Sequence, residues 1–420
     1  MALLQLPYGT GYIPLNIRDD GSTKVYLPNQ PKLLEDPLAS AREALKHPVG
    51  TPPLVEMLKE RKPRSLVVIV NDETRPTPYD VFFPPLLEAF AEAGIPDEHI
   101  TFVVATGLHK PQDRALDEKT YGKAMVERFR FVNHDAKNSE MVDLGKLPCG
   151  NPLRINRIVM DADFKISLGV VAPHYFAGFS GSRKSVLPGV ADFETVEKNH
   201  ARMLEVMDDM PEIHLNPISQ EMIWAARKAG LDFIFNAVVD DETRPLYLSA
   251  GDLEEAWYPC CEVSNAMFAV PFDEPVDLCI VSASGYPRDV NMYQAQKAVD
   301  HGDRITKDGA SVLMLAECPK GLGNKVFEDW LDKGLSPADI MVAIKKDFVM
   351  GGHKAYAFAK VAVHRKLFFL SSLSVADTNK LFAEKVEDVQ QFYDDFLGAH
   401  PGAKVAVLPQ GAVTMPVPGE

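Results

Sequence analysis

Cysteine is scarce. The 420-residue chain has five, Cys149, Cys260, Cys261, Cys279 and Cys318, scattered and without a Cys-x-x-Cys pair. That pattern supplies neither a disulfide framework nor a zinc site. Positive charge is also short: 44 Lys and Arg stand against 59 Asp and Glu, a net charge of −15. A nucleic-acid partner is not expected, because neutralising phosphates needs a basic face. Long apolar runs are missing too. Stretches such as Leu66–Val70 fall far below the roughly 20 residues that cross a bilayer, so no membrane partner is expected. The opening Met1-Ala-Leu-Leu-Gln-Leu-Pro7 has no basic n-region and no extended apolar core. A signal peptide is therefore not expected, and a cytoplasmic location is. No repeat period or low-complexity block stands out, which argues against solenoids and propellers.

What remains is a globular composition, 46% hydrophobic and 25% charged, with length enough for two or three domains. Short β-branched runs alternate with helical stretches. Ser65–Val70, Ile100–Ala105, Phe129–Val132 and Phe164–Val171 read as strands, and about Tyr79–Ala93 as a helix stopped by Gly94-Ile-Pro96. A proline-rich acidic stretch, Val270–Pro275, reads as a linker. Beyond it come strands at Val276–Val281, Ala310–Ala316, Leu367–Leu370 and Lys404–Leu408. Helices are expected from Met292 and near Pro337–Phe348 and Val375–Leu397. The expectation is α/β: two lobes, 1–271 and 272–420, with largely parallel sheets and an active-site cleft between them. The last strand is left free to return to the first lobe.

In open α/β sheets chemistry gathers beyond the carboxyl ends of the strands. Four such ends carry unusual clusters: Asn71-Asp-Glu-Thr-Arg-Pro76, Ala105-Thr-Gly-Leu-His109, Asn133-His-Asp135, and Val171 through Ser185 followed by Pro188-Gly189 and His200. Each has a plainer reading. Asp72, Thr74 and Arg75 could cap a helix with a local ion pair, and His109 alone could be structural. The Gly178–Ser185 segment resembles a phosphate loop, yet Arg183 stands where a Walker motif needs glycine. In the second lobe Tyr293 and Lys297 share one face of a helix start, beside Gln294. That is a suitable carboxylate receptor or simply a solvated helix end. His353 and Lys354 follow with no role that their sequence explains.

The stretch His174-Tyr-Phe-Ala-Gly-Phe-Ser-Gly-Ser-Arg-Lys184 through Pro188-Gly189 to His200 is specific when combined with Asp72-x-Thr-Arg-Pro76, Ala105-Thr-Gly-Leu-His109 and Tyr293-Gln-x-x-Lys297. Together these residues resemble the lactate racemase family that uses a nickel-pincer nucleotide, over nearly the whole chain. The resemblance implies an isomerase that racemises or epimerises a lactate-like 2-hydroxy acid. Its cofactor would be pyridinium-3-thioamide-5-thiocarboxylic acid mononucleotide, joined covalently to Lys184 and holding Ni with His200 as the protein ligand. His109 and His174 would be the catalytic acid/base pair. Asp72, Thr74, Arg75, Ser180 and Gly181 would contact the cofactor, and Arg75, Tyr293, Gln294 and Lys297 the substrate. Enzymes that build the cofactor would be partners. One departure is Ser182, where a second glycine is expected. Two other readings stay open: a C2 epimerase of a larger hydroxy or sugar acid, and a non-catalytic nucleotide- or anion-binding relative. The chemistry fits the residues. Sulfur and imidazole donors suit a planar Ni(II) site. The carbinol hydrogen is a poor acid but can leave as hydride while a neutral histidine takes the hydroxyl proton.

Overall fold

The strand Leu66–Asn71 is buried along nearly its whole length, as expected of a strand flanked in parallel on both sides. A computed structural model describes residues 2–29, 32–174, 176–206, 211–240, 242–346, 348–349 and 351–419. Tyr175 of the histidine motif, and residue 347 of the helix expected near Pro337–Phe348, lie outside the described residues. The chain divides into two compact units, residues 31–265 and residues 1–30 with 266–420.

The 31–265 unit is built on a six-stranded sheet ordered Pro245–Gly251, Phe233–Val239, Phe164–Val170, Leu66–Asn71, Ile100–Ala105, Arg130–Asn133. Only the Pro245–Gly251 edge runs antiparallel; the other five strands are parallel. Parallel order brings all four sequence clusters to one edge of one sheet. The helix Tyr79–Glu92 keeps Pro84 and Pro85 inside it, although an interior proline typically costs about 3 kcal/mol. Burial outweighs the loss: Phe82 packs 4.5 Å from Phe235 and Phe83 5.6 Å from Phe102, ring centre to ring centre. Gly94, at φ +73°, ends the helix as expected, with the Ile95 N–H bonding the Phe90 carbonyl at 2.9 Å.

The other unit carries an all-parallel sheet ordered Ala383–Lys385, Lys366–Leu370, Thr306–Leu315, Val276–Ser282, Val405–Leu408, Thr23–Val25. Here the observed boundaries differ from the sequence reading in two ways. Residues 1–30, read as part of the first lobe, belong to this unit. Thr23–Val25 pairs with Val405–Leu408, and the hairpin Ala2–Tyr8/Gly11–Ile17 buries Leu6 and Leu15 completely in the same core as Ile280 and Tyr393. The strand expected at Lys404–Leu408, left free to return to the first lobe, stays in this unit, and a further strand, Met415–Pro418, pairs with Ala269–Phe272. The helix expected over Val375–Leu397 is broken: Phe382 takes φ 61°, Ala383–Lys385 joins the sheet edge, and Asp388 caps a new helix, Val389–Ala399. Among the described residues no helix is long and apolar enough to cross a membrane.

The buried hairpin makes a measurable difference between two leucines. Leu15→Ala should lower stability by about 2–5 kcal/mol, whereas Leu3→Ala, at an exposed position, should stay within about 0.5 kcal/mol. Urea unfolding, read by amide exchange in Val276–Ser282, tests the contrast; equal effects would contradict the packing.

Candidate active site

At the end of the Leu66–Asn71 strand, Tyr79 and Tyr121 both donate to the Asn71 carbonyl, at 2.8 and 2.7 Å. That fixes where Asp72 begins. Asp72 is buried, 4% exposed. Its Oδ1 accepts from the Thr74 hydroxyl at 2.6 Å, and its Oδ2 lies 2.5 Å from Nδ1 of His109. It therefore caps its own turn and holds a histidine, not the helix that starts seven residues later. Burial pushes the Asp72 carboxyl up, but the bonds from His109 and Thr74 and the charge of Arg75 outweigh it and hold the group below its usual range. The same hydrogen bond raises the His109 pKa above 6.5, against the opposing effect of burial.

His109 sits in the turn after Ile100–Ala105. Gly107, at φ +57°, permits that turn, and its N–H bonds the Gly189 carbonyl at 2.9 Å. Gly189 has no room for a side chain, since a Cβ there would lie 2.3 Å from the Ser185 carbonyl oxygen. The two loops are thus stitched by main chain. The third cluster is different. His134 is fully buried, with Nε2 2.9 Å from the Ala191 carbonyl oxygen and Nδ1 3.1 Å from Asn156 Nδ2. It ties strands together, and burial keeps it neutral.

The loop beyond Phe164–Val170 is locked from inside. The Ser180 hydroxyl donates to the Val170 carbonyl at 2.7 Å and accepts from the Ala172 N–H at 2.9 Å. Gly181, at φ +116°, faces Trp257, where a Cβ would come within 2.7 Å of Nε1. The structure thus gives Ser180 and Gly181, read from sequence as cofactor contacts, work in the scaffold. Ser182 is fully buried, and its hydroxyl bonds Asn236 at 2.8 Å; a glycine would forfeit that anchor. Arg183 is buried, 1% exposed. Its guanidinium lies 3.8 Å over the Trp257 ring and donates to the carbonyls of Ala177, Phe179 and Ser180 at 2.9–3.1 Å. Sequence reasoning saw Arg183 only as a break in a motif and missed this clamp. Its partner Trp257 carried no local signal.

Phe176, held from behind by the Asn216 amide on its carbonyl at 2.8 Å, is the hub of the next group. His174 meets its ring at 4.4 Å, His200 at 5.1 Å, and the Lys184 ammonium nitrogen lies 5.4 Å from its centre. Desolvation, then the charges of Arg75 and Arg183, push the Lys184 pKa well below its ordinary value. Desolvation and Lys184 push His200 down to about 3, against a weak pull from the Val196 carbonyl. Nδ1 of His200 is buried without a well-formed hydrogen bond. The charge of Arg75 acts on Asp72, His109 and Lys184 alike. Among the described residues no three His, Cys, Asp or Glu side chains converge as a metal cage.

The remaining predicted residues form a second group in the other unit. Asn291 caps the helix Met292–Ile305 by accepting the Gln294 N–H at 3.0 Å. Gln294 and Lys297 are exposed on its first turns and Tyr293 is half-buried. Behind Tyr293 lie His353, 5.8 Å between rings, and Lys354, whose ammonium is 5.5 Å from the Tyr293 ring and 2.7 Å from the Gln296 amide oxygen. Burial lowers Lys354 to about 7.

Residues 8–210 match the lactate racemase N-terminal domain and residues 273–415 the lactate racemase C-terminal domain. A lactate racemase of Thermoanaerobacterium thermosaccharolyticum is 31% identical over 388 residues, 88% of each chain. One of Lactiplantibacillus plantarum is 30% identical over 436 aligned positions, covering 98% of this chain and 99% of its own. The solved lactate racemase apoprotein of T. thermosaccharolyticum superposes with a TM-score of 0.89 at 29% identity, covering 99% of this chain and all of that one. A Thermotoga maritima protein, 18% identical with a TM-score of 0.63 over 94% of this chain and all of its own, shares the fold. With both domains matched, and two racemases similar along most of its length, this chain is an isomerase that belongs to the lactate racemase family.

Proposed function

We propose that the protein interconverts the enantiomers of a small 2-hydroxy acid of the lactate type, using a nickel-pincer nucleotide joined to Lys184. The observation that carries this reading is the Lys184–Phe176–His200 group, two desolvated nitrogen bases on one ring, tied through Arg75 to the Asp72–His109 pair. Both nitrogens fit the cofactor. An amine that keeps its lone pair can be thioacylated, whereas an ammonium cannot. A neutral imidazole kept out of water is a ready donor for Ni(II). When bound, the cofactor would supply a hydride acceptor and donor for the carbinol carbon.

The residues of the chain would handle the proton and the anion. With Asp72 ionised, Nδ1 of His109 carries its proton and Nε2 is left to accept the substrate hydroxyl proton. His174 stands in the opposite tautomer. Its Nδ1 accepts the Ala177 N–H at 3.4 Å, so in the neutral ring the proton sits on Nε2. His109 and His174 would each take the hydroxyl proton of one enantiomer, so a racemisation cycle uses both. Thr74 serves by orienting Asp72. We assign Arg75, Tyr293, Gln294 and Lys297 to the substrate carboxylate and hydroxyl. Local cations of this kind attract an anion despite the net charge of −15.

Protein produced together with cofactor-building enzymes should carry a nucleotide-sized mass on Lys184, contain nickel, and racemise both D- and L-lactate. Lys184→Ala should lack all three. Intact mass, metal analysis and polarimetry read the outcome, and a screen of longer 2-hydroxy acids sets the substrate range. Racemisation by nickel-free protein without the added mass would overturn the proposal.

His109→Ala should slow both directions by about 10²–10⁴-fold, the usual loss for one placed acid/base group. Asp72→Asn tests the dyad by pH. Asp72 raises the His109 pKa, so the basic form of His109, and with it kcat/KM, appears only as pH rises through that raised value. Removing the carboxylate lowers the His109 pKa, so the acid limb of the kcat/KM profile should move to lower pH while the plateau falls. An unmoved limb would separate Asp72 from the proton transfer.

A further inference from the structure

Glu221 lies on the helix Pro217–Lys228, outside the residues assigned above, with its carboxylate buried at 4% exposure. Donors from three segments converge on it. The Cys149 thiol, at 2.5 Å, and the Asn151 amide, at 3.1 Å, reach Oε1 from one loop. The Asn199 amide reaches Oε2 at 2.6 Å, and the Arg202 guanidinium stands 3.6 Å from the same oxygen. Asn199 is fully buried, and its side-chain Oδ1 has no hydrogen-bond partner. Glu221 therefore orients the Asn199 side chain. Arg202 is held from its other side by Glu205, at 2.8 Å on each of two nitrogens.

Asn199 precedes His200 by one residue and Arg202 follows it by two. One buried carboxylate thus grips the chain on both sides of the histidine, where the helix Phe193–Ala201 gives way to the turn Arg202–Glu205. All four partners donate, so the group they meet must be acceptor-only on both oxygens. An ionised carboxylate is that group, and an amide is not.

From this convergence we propose that Glu221 is a positioning residue for the metal centre, fixing the backbone that delivers the His200 ring to nickel. The inference rests on the reading of His200 as the nickel ligand. A ligand must be held to within about 0.5 Å of its working position, and loss of an outer support typically weakens metal binding by about 10–100-fold.

The experiment uses full-length protein produced with the cofactor-building enzymes, as wild type and as Glu221→Gln, Asn199→Ala, Asn151→Ala and His200→Ala. Intact mass gives the Lys184 adduct, metal analysis gives nickel per adduct, and a chelator challenge gives its rate of loss. Glu221→Gln and Asn199→Ala should keep the adduct yet lose nickel at least about 10-fold faster than wild type, approaching His200→Ala. Asn151→Ala also cuts a bond to Glu221, but on the side away from His200, and should hold nickel as wild type does. Thermal unfolding identifies any variant that fails to fold. Should Glu221→Gln be one of these, the pair Asn199→Ala and Asn151→Ala decides, because each leaves Glu221 its other donors. The proposal is overturned if the two asparagine variants lose nickel alike, which makes Glu221 a general prop, or if neither loses it. Wild type that gains neither adduct nor nickel overturns the reading of His200 and this inference with it. Loaded wild type with unaffected variants overturns this inference alone.

Discussion

Three main-chain carbonyls drawn onto one buried guanidinium hold the loop from which the rest of the site is hung. Arg183 stacks on Trp257 and gathers the carbonyls of Ala177, Phe179 and Ser180, so the loop between His174 and Lys184 closes on itself. A buried cation is costly to desolvate, and burial brings the Arg183 pKa down to about 9. Its charge then does a second task, since it is among the causes that depress Lys184. One residue thus sets both the shape of the loop and the protonation of its neighbour. Lys in its place would offer a point charge without the flat, forked set of donors that three carbonyls and an indole face require.

The parallel strands and their order of appearance were legible because β-branched runs and Gly or Pro stops are local signals. Leu66–Asn71, Ile100–Ala105 and Phe164–Val170 fall within a residue of their expected bounds. The break in Val375–Leu397 was hidden because its cause, a left-handed Phe382 beside a free sheet edge, is a property of the assembled sheet. The placement of residues 1–30 was hidden for the same reason: Leu6 and Leu15 are apolar in any environment, and only pairing across the chain decides which core they enter. In the site, the histidines, Lys184 and Arg75 showed themselves as polar residues at strand ends. The supports did not. Arg183, Trp257, Asn216 and Glu221 are separated from what they hold by main-chain contacts or by sequence distance, and no motif spacing encodes those.

The site also shows how one fold sets nitrogen bases apart. His109 has a carboxylate beside it and is raised. His200 has burial and a lysine beside it and is pushed to about 3. His134, just past the strand Arg130–Asn133, is buried and kept neutral, with its ring against the Ala191 carbonyl. Three identical side chains in one unit are thereby set apart by their immediate surroundings.

The pairing of Thr23–Val25 with Val405–Leu408 has a consequence for synthesis. The Arg18 N–H meets the Tyr393 hydroxyl across 375 residues of sequence. At roughly 5–20 residues per second, a ribosome needs some twenty seconds to over a minute to make the intervening chain. During that interval the hairpin Ala2–Tyr8/Gly11–Ile17 and the strand Thr23–Val25 are outside the exit tunnel with Leu6 and Leu15 unburied, while residues 31–265 can already fold. These strands therefore wait for partners made several hundred residues later, and their open edge is where nascent chains on neighbouring ribosomes would meet one another.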